Sequence, residues 1–209
     1  MARLEIGGGY EAILSGMTGI ALRLAPALWL GAAALGQPTI TAVLNGASYI
    51  EPPLPGSGIA QGSIFVIKGT GLGPEQGVTG SIPYPTDLSN ASIRVSASGN
   101  NVSAFLFYAS ARQLNAILPS NTPIGPAVAR VTFNGMESQP LPFTVVRSSP
   151  GLITLNSAGS GPAVLTAGAD YRLVTYTNSA VAGEPLSAWA TGVTGLTARA
   201  DNEGAEVFD

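Results

Sequence analysis

From residue 37 onward, short stretches in which apolar and polar residues alternate with a period of two are punctuated by Gly, Pro and Asn. Residues 91–97 alternate most cleanly: Ile93, Val95 and Ala97 point one way, Ser92, Arg94 and Ser96 the other. The turn Ser98-Gly-Asn-Asn101 follows. Val102, Ala104, Leu106 and Tyr108 then alternate with Ser103, Phe105 and Phe107, which predicts a hairpin. Residues 127–133 set Ala129, Val131 and Phe133 against Val128, Arg130 and Thr132. Asn134-Gly135 marks a tight turn, with Leu141, Phe143 and Val145 on the inward face of the return. Residues 62–68 form an unbroken β-branched and aromatic run, which predicts a strand buried on both faces. Shorter strands are expected over 39–44, ahead of the turn pair Asn45-Gly46, and over 113–118. Residues 51–58, EPPLPGSG, suit neither helix nor central strand, because proline lacks the N–H a ladder needs. Residues 69–87 hold five Gly and three Pro and read as a loop. No stretch after residue 37 keeps a 3.6-residue period.

About seven short strands between Gly/Pro turns predict an all-β chain, with an immunoglobulin-like antiparallel sandwich over 37–149. The Cys pair and core Trp of antibody domains are missing, so only the architecture is expected. A fainter pattern repeats at an offset of 121. Ala42-Val43-Leu44 returns as Ala163-Val164-Leu165, Gly62 as Gly183, and Thr70-Gly71 as Thr191-Gly192. On that alignment Ile64 to Lys68 matches Pro185 to Trp189, and residue 209 matches residue 88. Residues 150–209 are therefore expected to be a second, partial β unit, cut short near its midpoint.

The N-terminal region has a different character. Leu24 to Leu35 (LAPALWLGAAAL) carries no charge, which suits the apolar core of a secretory signal. It is short of the ~20 residues that span a bilayer. Ala34-Leu35-Gly36 supplies small residues for cleavage, with Gln37 opening the mature chain. Residues 1–16 carry Arg3 against Glu5 and Glu11, the wrong balance for a signal, so Met17, with Arg23 ahead of the apolar run, is a better start. Residues 1–36 are thus expected to be a signal helix, and the protein to be secreted or at the cell surface. An uncleaved membrane anchor over 12–36, or an N-terminal helix of a soluble protein, are the alternatives.

Composition narrows the chemistry. The chain of 209 residues has 9 Lys+Arg, 12 Asp+Glu, no His and no Cys. That excludes imidazole bases and ligands, thiolate nucleophiles, zinc-thiolate sites, disulfides and every triad built on His. A net charge of −3 with 10% charged residues argues against nucleic acid. Glu51, Glu75, Asp87, Glu137 and Asp170 are scattered acids, read as loop charges rather than as the two carboxylates of a glycosidase. Asp201, Glu203, Glu206 and Asp209 are four acids in nine residues; Asp201, Glu203 and Gly204 imitate the order of a calcium loop without its spacing, and the group reads as a solvated tail. Gly69-Thr-Gly-Leu-Gly73 has phosphate-loop glycines but no Gly-Lys-Ser/Thr ending, so it reads as a strand exit with Lys68 as a solvated charge. Asn90-Ala-Ser92 and Asn101-Val-Ser103 match glycosylation sequons. Tyr49, Tyr84, Tyr108, Tyr171, Tyr176 and Trp189 are the pool for stacking on sugars, and no spacing among them marks a platform. No catalytic, cofactor-binding or metal-binding residue, and no cofactor, is expected.

Ala42 to Tyr49 (AVLNGASY) and Gly62 to Gly73 (GSIFVIKGTGLG) resemble the opening strands of an exported, uncharacterised C-terminal domain family of Acidobacteria and the Solibacter group. Phe107-Tyr108-Ala-Ser110, Gln113-Leu-Asn-Ala116, Leu118-Pro119 and Gly125-Pro126-Ala127 are similar to its central block, and Ser149-Pro-Gly-Leu152 to the join that follows. The resemblance covers about 42–195. It implies an IPT/TIG immunoglobulin-like module of a bacterial surface protein with no established activity. Two departures stand out: a signal takes the place of the family's large N-terminal region, and the second unit is cut short, as in a gene fragment. The expected function is a non-catalytic exported module for recognition, adhesion or spacing, acting on an unknown surface protein or polysaccharide. The alternative is a carbohydrate-binding module or an accessory domain of a larger extracellular protein.

Overall fold

A computed structural model describes residues 36–193 and 200–203. The signal helix expected over 1–36 and most of its cleavage site lie outside the described residues. Among the described residues there is no helix, and so none long and apolar enough to cross a membrane.

Twelve strands form the first part: β1 (Thr39–Asn45), β2 (Ile59–Ala60), β3 (Ile64–Thr70), β4 (Val78–Thr79), β5 (Asp87–Leu88), β6 (Ala91–Ala97), β7 (Asn100–Ser103), β8 (Phe105–Ala109), β9 (Gln113–Ile117), β10 (Gly125–Phe133), β11 (Met136–Glu137) and β12 (Leu141–Val146). One sheet runs β1-β3-β9-β8-β4, the other β2-β12-β10-β6-β5, with β7 beside β6 and β11 beside β10. All pairs in these sheets are antiparallel except β2–β12, where Ile59 faces Val145 in parallel.

Both sheets feed one hydrophobic core. Phe65, Ile67, Leu106 and Leu114 enter it from the first sheet, and Ile93, Val95, Val131 and Val145 from the second, each essentially inaccessible. Burial of side chains this size stabilises by about 1.5–3 kcal/mol each. The alternation read over 91–97 holds, since Ala91, Ile93, Val95 and Ala97 are buried and the residues between them are not. In β3, Phe65, Val66 and Ile67 are all buried, as a two-face-buried strand requires. Asn134 and Gly135 take φ of 48° and 81°, and β10 turns back so that Phe133 pairs with Met136. Two left-handed central residues match the right-handed strand twist.

The hairpin expected over 91–108 forms only in its first half. β7 pairs with β6, Ala97 opposite Asn100. Ala104 then donates its N–H to the Ile93 carbonyl at 3.0 Å, and the chain crosses to the other sheet. There β8 pairs with β9 and β4. The edge of β9 away from β3 needs a partner, and β8 supplies it. A register shift between Leu106 and Tyr108 also changes the phase, so Leu106 and Ala109 are buried while Tyr108 is not.

Beyond residue 150 the strands are shorter: β13 (Gly151–Leu152), β14 (Leu165–Ala167), β15 (Arg172–Leu173), β16 (Leu186–Ala188) and β17 (Ala190–Thr191). They make a sheet of order β15-β14-β16 and the pair β13–β17. Among the described residues of this part, Ala167 is the one buried apolar side chain, while Leu152, Leu186 and Val193 are exposed.

Candidate functional site

The most organised polar group lies where residues 149–192 meet the end of β1. Asn45 is fully buried. Its Oδ1 accepts the N–H of Ala47 at 2.9 Å and of Ser48 at 3.1 Å, closing the turn after β1. Its Nδ2 donates to the Ser149 carbonyl at 2.9 Å. Thr191 Oγ1 accepts the Ile64 N–H at 2.8 Å, which caps the start of β3. A Cβ on Gly151 would press on Asn45 Oδ1, and one on Gly192 would collide with the Ser149 carbonyl, so both positions require glycine. The sequence marked Asn45-Gly46 as a turn pair. Nothing in it announced the reach to Ser149, because that partner is 104 residues away.

The candidate acids do not converge. Glu51, Glu75, Asp87 and Asp170 are exposed on separate loops or strand ends. Glu137 pairs with Arg94 and lies 4.0 Å from Arg130 across the sheet surface. Asp201 accepts the Ser120 N–H at 2.9 Å and its hydroxyl at 3.0 Å. That ties the tail to the loop after β9. Glu203 is exposed, and Gly204, Glu206 and Asp209 lie outside the described residues. No group of three metal-ligating residues occurs among the described residues.

Sequence reading passed over one ion pair. Arg172 and Glu184 form a partly buried bridge between β15 and the turn before β16. Arg172 also reaches the Asn178 side chain at 3.2 Å and the Ser179 carbonyl at 3.1 Å. The Val181 N–H bonded to Glu184, and then the Arg172 guanidinium, hold that carboxyl below its ordinary value.

The glycines of 69–73 serve packing rather than phosphate. A Cβ on Gly69 would collide with the Thr39 carbonyl, and one on Gly73 would lie 3.0 Å from the Ser110 carbonyl. The N–H groups of Gly69 and Leu72 donate to the carbonyls of Arg112 and Ala111 at 3.1 and 3.0 Å, so neither is free to cradle an anion. Lys68 stands 4.7 Å over the Tyr49 ring, and burial pushes the Tyr49 hydroxyl above its ordinary pKa.

The aromatic pool is dispersed. Tyr84 and Phe107 lie 5.6 Å apart with rings tilted 47°. Tyr108 packs under Gly77. Trp189 donates Nε1–H to Thr166 Oγ1 at 3.3 Å. Tyr176 is 99% exposed. The sequon residue Asn90 is exposed in a left-handed turn position. Asn101, with Ser103, Phe105, Ser120 and Asp201, lines an open concavity of about 420 Å³.

No family model matches the chain, and no curated protein does. Among solved structures it is similar to Gamma-CGTase from alkalophilic Bacillus clarkii, at 19% identity and a TM-score of 0.35, over 56% of this chain and 13% of that one. It is also similar to a protein from Bacteroides thetaiotaomicron named as a candidate phosphatase, at 10% identity and a TM-score of 0.27, over 64% of this chain and 28% of that one. The chain thus spans a small part of both proteins.

Proposed function

We propose that this chain is an exported, non-catalytic, immunoglobulin-like module that recognises or spaces other molecules at a bacterial surface. The strand order carries the immunoglobulin-like part of the reading. With β1, β3, β6, β8, β9, β10 and β12 lettered A to G in chain order, the two sheets read A-B-E-D and G-F-C. With the short strands β2, β4, β5, β7 and β11 set aside, that order matches the partition of the constant-type immunoglobulin sandwich and supports the reading. The non-catalytic part is supported by the scatter of Glu51, Glu75, Asp87 and Asp170, and by the commitment of Glu137, Glu184 and Asp201 to protein partners. Export rests on the charge-free run Leu24 to Leu35 and on the resemblance to exported surface modules.

A second reading, carbohydrate binding, is favoured by one observation, the full exposure of Tyr176. Affinity electrophoresis separates the two. Protein recognition predicts unchanged mobility in gels containing soluble polysaccharides, whereas retardation that is lost in Tyr176→Ala supports the second reading. Export is tested by sequencing the N-terminus of protein made in a secreting bacterium. Gln37 is expected, and an intact Met1 on cytoplasmic protein contradicts it.

A further inference from the structure

The pairing of β14 with β16 repeats the register in which the end of β1 pairs with the start of β3. β1 and β3 pair Val43 with Ile67, Leu44 with Val66 and Asn45 with Phe65. β14 and β16 pair Leu165 with Ala188, Thr166 with Ser187 and Ala167 with Leu186. The registers coincide with a displacement of 122 residues for the first strand (Val43 to Leu165) and 121 for the second (Ile67 to Ala188). Gly46 donates to the Ile64 carbonyl at 3.0 Å, and Gly168 donates to the Pro185 carbonyl at 3.1 Å. Ser63 donates to Ala60 and Glu184 to Val181, both at 3.2 Å. Tyr49 and Tyr171 both sit at a φ of 53°, and Gly62 and Gly183 are both left-handed, at 68° and 91°. The echo at a constant offset of 121 places the first strand one residue away from this equivalence.

The copies differ in what covers them. The far edge of β3 is taken by β9, with Phe65 opposite Ala116 and Ile67 opposite Leu114. Phe65, Ile67 and Leu72 are fully buried. Their counterparts Leu186, Ala188 and Val193 are also apolar, yet all three are exposed, Leu186 at 57% and Val193 at 44%. β16 ends its sheet. The Pro185 carbonyl and the Trp189 N–H bond toward β14, and the Trp189 carbonyl accepts Ile153 N–H on that same side. Alternation along a strand therefore turns the N–H and C=O of Leu186, Ala188 and Ala190 to the opposite side. No strand pairs there among the described residues. Pro185 matches Ile64, whose N–H bonds to Thr191 rather than to β9, so the proline leaves the edge unobstructed.

We propose that the edge from Leu186 to Ala190 is a strand-acceptor site. It takes an extended strand from a different protein, antiparallel, in the place β9 holds against β3. The template for the occupant is β9 itself, with Leu114 and Ala116 turning their backbone groups to the edge and their apolar side chains to the covered face. The inference rests on reading the protein as a recognition module, and names the class of partner.

The test is residue-resolved amide exchange on the 209-residue chain, with and without a synthetic peptide of residues 111–119. A bound strand is expected to slow exchange at Leu186, Ala188 and Ala190 by about tenfold or more. A peptide N-methylated at Leu114 and Ala116 lacks the two edge donors and is expected to leave the rates unchanged. Ala188→Pro removes one edge N–H while keeping the Ser187 and Trp189 bonds to β14, and is expected to abolish the peptide effect. Four results would overturn the proposal: no slowing at saturating peptide, slowing by the N-methylated peptide as well, edge amides already slow in the chain alone, or slowing that follows protein concentration without peptide. The last would assign the edge to a second copy. Because the readout is local to β16, its failure is distinct from failure of the recognition reading, which polysaccharide retardation addresses.

Discussion

Asn45→Ala should destabilise the protein far beyond the loss of one surface amide. The substitution removes the acceptor for the Ala47 and Ser48 N–H groups and the donor to the Ser149 carbonyl. The Ala47 and Ser149 bonds are buried, so water replaces them poorly, while the Ser48 bond is partly open. A buried polar group left without a partner costs about 1–3 kcal/mol. Two such groups, with a smaller share for Ser48, put the loss near ~3 kcal/mol. For a domain of about 150–250 residues, each kcal/mol lowers the melting temperature by roughly 2–4 °C, so a fall of about 6–12 °C is expected. Circular dichroism melts and urea midpoints measure it. Asn45→Asp keeps both accepted bonds but sets a carboxylate against the Ser149 carbonyl. Its loss should shrink in acid, where a protonated carboxyl can donate. An Asn45→Ala protein melting within about 2 °C of the parent would refute the reasoning, since the orphaned groups would then have found other partners at little cost.

Other outcomes follow from the same geometry. Phe65→Ala should cost about 3–5 kcal/mol in urea unfolding, because Phe65 is fully buried between the sheets and its neighbours can only partly collapse. Glu184 has a carboxyl pKa lowered in the fold, so its contribution to stability is present above the ordinary value of 4.5 and is lost as pH falls through the lower folded value. Local exchange at Val181 should therefore quicken in acid below that value, and Glu184→Gln should remove the dependence. Melting temperatures with and without EDTA should agree, since no His or Cys is present and Asp201 is bonded to Ser120; a fall on chelation would point to oxygen-only metal binding.

Much of the first part was legible from local pattern. The alternation of Ile93, Val95 and Ala97 marked the buried face of β6, and Asn134-Gly135 located the turn from β10 to β11, because both signals lie within a few residues. The crossing at Ala104 was not legible. Val102 to Tyr108 keeps one period through it, and only β9, at Gln113 to Ile117, determines where β8 must go. The two-residue strands β4, β5 and β11 owe their pairing to neighbours rather than to composition. The Asn45 junction was hidden for the same reason: its residues are ordinary turn formers until Ser149, Gly151 and Thr191 are folded beside them. The repeat was visible as scattered identities, but its one-residue displacement in β14 emerged only from the pairing.

Native-state hydrogen exchange across the whole chain tests most directly the claim that a closed apolar core carries an uncovered β segment. Amides of β3, β6, β9 and β10, which frame the core, are expected to exchange only through global unfolding. Those of β14, β15 and β16, with Ala167 as their one buried apolar residue among those described, are expected to open locally and exchange orders of magnitude faster. Equal protection in both sets would contradict the account, because residues 150–193 would then share the stability of the core.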